Sequence, residues 1–178
     1  MLQLGVNVGV VRADPDHIGA IGDNIRKADR DEVMALGGLS PHQALDYSLK
    51  KSHCAFTWLI DDVPVAIFGV GDINVLTCVG APWLLGTKRI EKHWRVFLRG
   101  SRHWCHQLFK SYRLLRNVVD DRNDVSKRWL EWLGFTLFEP RPLGQDGEMF
   151  RVFEMRNSRC VTLALPRLLV QPYWGQPG

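Results

Sequence analysis

No stretch of this 178-residue sequence approaches the roughly 20 consecutive apolar residues that a membrane-crossing helix needs, so no transmembrane span is expected. The opening Met1-Leu2-Gln3-Leu4 has neither a basic region nor a cleavage site, and no signal peptide is read there. Cysteine is scarce. Cys54, Cys78, Cys105 and Cys160 lie far apart and form no CxxC pair, which argues against a zinc site and a redox pair. Synthesis in a reduced cytoplasm fits that usage. GxSxG, P-loop and HExxH patterns are all missing. His103 and His106 have no second ligand pair nearby and sit among basic residues, so no metal is expected.

The length suits one domain with a sizeable core. Seven tryptophans serve that core or an interface. Alternating residues from Leu4 to Arg12 predict a first strand. Asp14-Pro15 predicts a helix start running to about Lys27. A second helical piece covers Asp29 to Leu36, stopped by Gly37-Gly38, and Ser40-Pro41 opens a third to about Lys51. Ala55–Ile60 and Val63–Val70 read as a hairpin across Asp61-Asp62. Leu76 to Leu85 reads as a strand interrupted around Gly80 to Pro82. A long helix is predicted from about Ile90 to Tyr112, then a buried strand from Leu114 to Val119. The last strand spans Phe150 to Met155.

The most informative stretch follows the Leu114 strand. Asn123 caps a short amphipathic helix that ends at Gly134, where a left-handed residue is wanted, and Phe135 then starts a strand. The tail from Asn157 is different in kind. It carries Val161, Leu163, Leu165, Leu168, Leu169, Val170, Tyr173 and Trp174, too much apolar surface for a solvated end, while Pro166 and Pro172 break regular structure. An extended docking segment is expected, giving a division into 1-156 and 157-178.

The predicted long helix has two stripes. Lys88, Lys92, Arg95, Arg99, Arg102, His106, Lys110 and Arg113 recur at steps of three or four, opposite an apolar stripe through Trp94, Phe97 and Trp104. Between Lys88 and Arg116 there are nine Lys or Arg and one acid, Glu91, whereas the whole chain is only +4. Two accounts fit: a solvated outer face, or a surface for a polyanion or an acidic protein, with nonspecific DNA as one such partner.

Strand, asparagine-capped helix, Gly-Phe and strand, preceded by helices, a hairpin and a long helix, resemble the GNAT (GCN5-related N-acetyltransferase) fold. The phrases Ala28-Asp29-Arg30-Asp31-Glu32-Val33, Pro64-Val65-Ala66-Ile67-Phe68-Gly69, Pro82-Trp83-Leu84-Leu85-Gly86-Thr87, Phe97-Leu98-Arg99-Gly100-Ser101-Arg102 and Trp132-Leu133-Gly134-Phe135, with Asn117 and Asn123, resemble a GNAT-like group of tailed bacteriophages. That group includes an internal virion protein of short-tailed phages. The resemblance spans about Val8 to Met155. It implies an α/β domain with a mixed central sheet flanked by helices.

If acetyl-CoA binds, the resemblance implies a site made by Leu84, Leu85, Gly86, Thr87, Lys88, Lys92, Asn117, Asn123 and Ser126. Of three enzymatic parts, two depart from the family pattern. The segment Leu85 to Lys92 lacks the paired glycines of a phosphate loop. The position of the usual tyrosine acid is Leu130, which transfers no proton. The one base candidate on the central strands is Asp72, with His53 behind it. The expectation is therefore a virion protein, made in the host bacterial cytoplasm, that contacts other virion proteins and binds acetyl-CoA weakly or not at all. An active acyl-CoA N-acyltransferase is the alternative, and a DNA-contacting virion protein a further one.

Overall fold

A computed structural model describes residues 6–157 of the chain. The docking role expected for the tail falls on residues 158–178, outside that range. β1 (Val8–Arg12) leads into α1 (His17–Gly22), α2 (Lys27–Gly37) and α3 (Pro41–Lys51). β2 (Ser52–Ile60), β3 (Val63–Asn74) and β4 (Val79–Gly86) then form a meander. α4 (Arg89–Lys92) and α5 (Trp94–Phe109) cross to β5 (Leu114–Asp120). α6 (Asp124–Leu133), the short β6 (Thr136–Leu137) and β7 (Arg141–Pro142), and β8 (Met149–Arg156) complete the domain. The sheet order is β1-β2-β3-β4-β5-β8-β6, with β7 also on β8. All neighbours are antiparallel except β4 and β5.

Local chemistry accounts for several boundaries. Ser40 and Gln43 form a reciprocal capping box with Pro41 in the first turn of α3. Asp61 and Asp62 both have positive φ, 51° and 60°, the conformation of a two-residue hairpin turn. Asn123 Oδ1 accepts from the Ser126 N–H at 3.1 Å, and Gly134 closes α6 with φ 103°.

Two predicted helices are divided. The helix expected from Asp14 to Lys27 is the six-residue α1 followed by a break, and α2 starts at Lys27 rather than Asp29. The sheet imposes that break: Ile25 bridges to Thr87, and the Arg26 N–H donates to Gly86 O at 2.9 Å. The long helix expected from Ile90 to Tyr112 is broken at His93, whose φ and ψ of −114° and 30° are not helical. Ile90 anchors α4 on the sheet, in space that Gly86 leaves open. A Cβ at Gly86 would stand 2.2 Å from Ile90 Cδ1. α5 ends at Phe109, so Arg113 lies beyond it, half-buried before β5.

Side chains alternate across the strands. Ile67, Trp83, Leu85, Val118, Phe150 and Val152 meet α1, α2 and α3 on one face. On the other, Val70, Leu115, Val119 and Phe153 meet α5 and α6, and Trp58 and Phe68 pack against Ile90, Phe97 and Trp104. Gly100 lets α5 lie directly on Trp58.

Candidate functional site

β4 and β5 pair only at Val79 with Leu114 and at Gly80 with Leu115. Beyond these positions the two strands part. β5 stays paired with β8 along its whole length, and β4 stays paired with β3. The interruption expected around Gly80 to Pro82 is absent, and the strand expected from Leu76 starts only at Val79, after a turn. β4 runs through Pro82 without a break, but Pro82 stands where the ladder to β5 ends. Its carbonyl accepts from Asn117 Nδ2 of β5 at 3.0 Å, so its ring nitrogen faces the same side, where no ladder N–H is required.

The gap is a crevice of about 990 Å³, counting its mouth. Its lining comes from both layers: Asp29, Glu32 and Val33 of α2 on one face, and Ser101, Trp104, Ser126 and Trp129 of α5 and α6 on the other. The opening therefore passes between the strands rather than lying on one side of the sheet. Of the residues expected at a coenzyme site, Leu84, Leu85, Asn117 and Ser126 line it. Asn123 caps α6 beside it, and Lys88 and Lys92 are exposed near the N-terminal end of α5. Asp72 is elsewhere, near the end of β3. It accepts from Tyr112 Oη at 2.6 Å, and His53 Nδ1 is 3.7 Å from its other oxygen.

On the α2 side lies a polar cluster that the motif reading did not single out. Buried Asp29 accepts from Arg26 Nε at 3.1 Å, Arg26 Nη2 at 2.6 Å and the Gly86 N–H at 2.8 Å. Burial raises its pKa against the pull of Arg26, while three donors on its oxygens mark the ionised form. Glu32, one turn on, accepts from the Asp120 N–H at 3.2 Å and Asn123 Nδ2 at 3.4 Å. Some of the residue reaches the surface, but protein surrounds its carboxyl group. Among the described residues no cation pairs with Glu32, whereas Asp29 has Arg26 and Asp120 has Arg122. Burial, with the negative charge of Asp29 beside it, pushes Glu32 up to about 8. The i,i+3 spacing of Arg26, Asp29 and Glu32 was the available signal, but it marks only a shared helix face.

On the other face the Trp129 indole N–H donates to Ser101 Oγ at 3.2 Å, and its ring packs on Phe97 at 5.2 Å. Leu130 is buried against Leu108, Phe135 and Phe153. The turn from β4 to α5 keeps most of its amides for itself. The N–H groups of Thr87, Arg89, Ile90 and Glu91 bond to Val65 O, Thr87 Oγ1, Thr87 O and Lys88 O.

The fold has counterparts among solved structures. A GNAT-family protein of Chromobacterium violaceum superposes with a TM-score of 0.66 at 13% identity, covering 84% of this chain and 87% of its own. A Salmonella typhimurium protein described as an acetyltransferase, solved with its cofactor acetyl-CoA, gives 0.64 at 11%, covering 89% and 99%. The ribosomal-protein-S18-alanine N-acetyltransferase of Escherichia coli gives 0.59 at 11%, covering 92% and 100%. The fold is that of the GNAT acetyltransferases. At these identities the likeness is one of fold. No family model matches the sequence, and no curated protein is similar to it in sequence. Within the GNAT fold, the crevice is the gap between the central parallel strands, and Asn123 and Gly134 bound the helix on one of its walls.

Proposed function

We propose that the protein is an acyl-CoA-dependent N-acyltransferase in which Glu32 is the general base. The observation that carries this reading is the crevice between β4 and β5, open to an apolar groove on the α5 and α6 side and to the Glu32 carboxyl on the α2 side. That arrangement lets an acyl donor and an amine approach one point from opposite layers.

The residues fit one end of the coenzyme better than the other. Leu84, Leu85, Asn117 and Ser126 line a gap suited to a narrow thiol-ended arm. With the amides of Thr87, Arg89, Ile90 and Glu91 already bonded, the turn offers no paired backbone cradle, so the pyrophosphate falls to the charges of Lys88 and Lys92. Bound there, an acyl-CoA supplies an acyl group activated as a thioester. Glu32 does the proton work. A carboxylate titrating near 8 is basic enough to take a proton from an amine close to neutral pH. The Asp120 N–H and Asn123 Nδ2 hold it in place, and Arg26 engages Asp29 rather than quenching Glu32. Leu130 donates no proton, so the departing thiolate takes one from solvent.

Acetyl-CoA titration by calorimetry tests the binding step, and thiol release with a panel of amines tests the chemistry. Saturable binding, weakened by Lys88→Gln with Lys92→Gln, and thiol release slowed at least tenfold by Glu32→Gln with binding retained, are expected. No binding at all overturns the reading. It would then favour the second one, a virion assembly module on this fold, which the bonded amides and Leu130 support.

A further inference from the structure

We propose that the outer face of α5, together with Trp132 of α6, binds single-stranded nucleic acid. This goes beyond acyl transfer and uses residues outside the crevice. Arg95, Arg99, Arg102 and Lys110 are all exposed, and among the described residues none pairs with a carboxylate. Elsewhere Arg26, Lys27, Lys50, Arg116, Arg122, Lys127, Arg151 and Arg156 each meet an acid, while other cations such as Arg12, Arg30 and Arg128 stand apart without forming such a cluster. Glu91 is the acid at the N-terminal end of this face. Asp124 is tied to Lys127, and Glu131 turns toward Lys127 and Arg151. The positive charge is thus left for a partner that brings its own negative charge.

The aromatic residues indicate which partner. Trp94 is 50% exposed and Trp132 is 39% exposed, and both line the groove between α5 and α6. Arg95 lies over the Trp94 ring at 4.9 Å, and Arg102 over the Trp132 ring at 4.2 Å. Each pair is a flat cationic plate at the surface. Unpaired bases stack on such plates while phosphates take the flanking charges. A duplex keeps its base faces covered, and an acidic peptide has carboxylates but no rings to stack. Charge with exposed stacking surface therefore favours a single strand over either.

The test is fluorescence anisotropy with a labelled oligothymidine of about 20 nucleotides, beside a duplex of the same length, polyglutamate and anionic lipid vesicles. The oligothymidine should bind at least about tenfold more tightly than the other three, and its affinity should fall steeply with salt. Trp132→Ala should lose about tenfold and Trp132→Phe should restore most of it. Arg99→Glu with Arg102→Glu should weaken binding and flatten the salt slope, while acetyl-CoA titrates as in the unaltered protein. Absent or equal binding to the four probes, or an unchanged Trp132→Ala, overturns the proposal. Loss of acetyl-CoA binding in the double variant would also overturn it, by placing the face in the coenzyme site. Failure of the coenzyme to bind either protein bears only on acyl transfer.

Discussion

Asn123 serves Glu32 and α6 at once: its amide nitrogen donates to the Glu32 carboxylate at 3.4 Å while its amide oxygen caps the helix through the Ser126 N–H. Asn123→Ala removes both bonds and should lower stability by about 1–2 kcal/mol, read as a shift of the urea midpoint. Asn123→Ser keeps a cap but cannot reach Glu32 in the same way, so it should recover most of that stability. Equal losses in the two variants would mean that the link to Glu32, not the cap, holds this end of α6.

Glu32 makes stability depend on pH. An unfolded glutamate titrates near about 4.3, and in the folded protein Glu32 is pushed up to about 8. Between these values the folded state holds a proton that the unfolded chain has released. Its stability therefore falls as pH rises, by up to about 1.4 kcal/mol per pH unit, and the loss is complete above the folded value. Glu32→Gln should flatten that slope and gain on the unaltered protein from pH 5 to pH 8. Parallel curves for the two proteins would mean that the carboxyl titrates normally.

Gly100→Ala separates packing from helix propensity. Alanine is favoured over glycine in a helix by roughly 1 kcal/mol, yet a Cβ here would stand 2.3 Å from Trp58 Cη2. Trp58 is buried and packed on Phe68 and Phe97, so it has little room to yield. A net loss of about 1–3 kcal/mol is expected, with Trp58→Phe restoring part of it in the double variant. A more stable Gly100→Ala protein would show that α5 can lift from the sheet.

The features legible in the sequence are those decided within a few residues. The helix start at Ser40-Pro41, the Asp61-Asp62 turn, the Asn123 cap and the Gly134 stop each depend on neighbours in the chain, and each stands where it was read. The interruption expected at Gly80 to Pro82 did not occur, because β4 stays paired with β3 through these residues. The breaks at Asp23 to Arg26 and at His93 were not legible, because both arise from docking on the end of β4. Glu32 stayed hidden for the same reason. Its partners Asp120 and Asn123 lie 88 and 91 residues away, and no local spacing reports them. The basic stripe was visible as far as Lys110, but Arg113 belongs to the turn beyond the helix.

The short ladder between β4 and β5 also has a mechanical side. The sheet is two leaves, β1 to β4 and β5 with β8, β6 and β7, whose backbones pair at two positions at one end, with the Asn117 amide reaching Pro82 just beyond them. Anything wedged between Ala81–Gly86 and the facing part of β5 pushes on a lever whose fulcrum is Val79 and Gly80. Tyr112 sits at that fulcrum, its ring filling the space left by the missing Cβ of Gly80 and its hydroxyl donating to Asp72 at 2.6 Å. The edge farthest from the mouth is thus where occupancy of the crevice would be felt as a change in leaf angle.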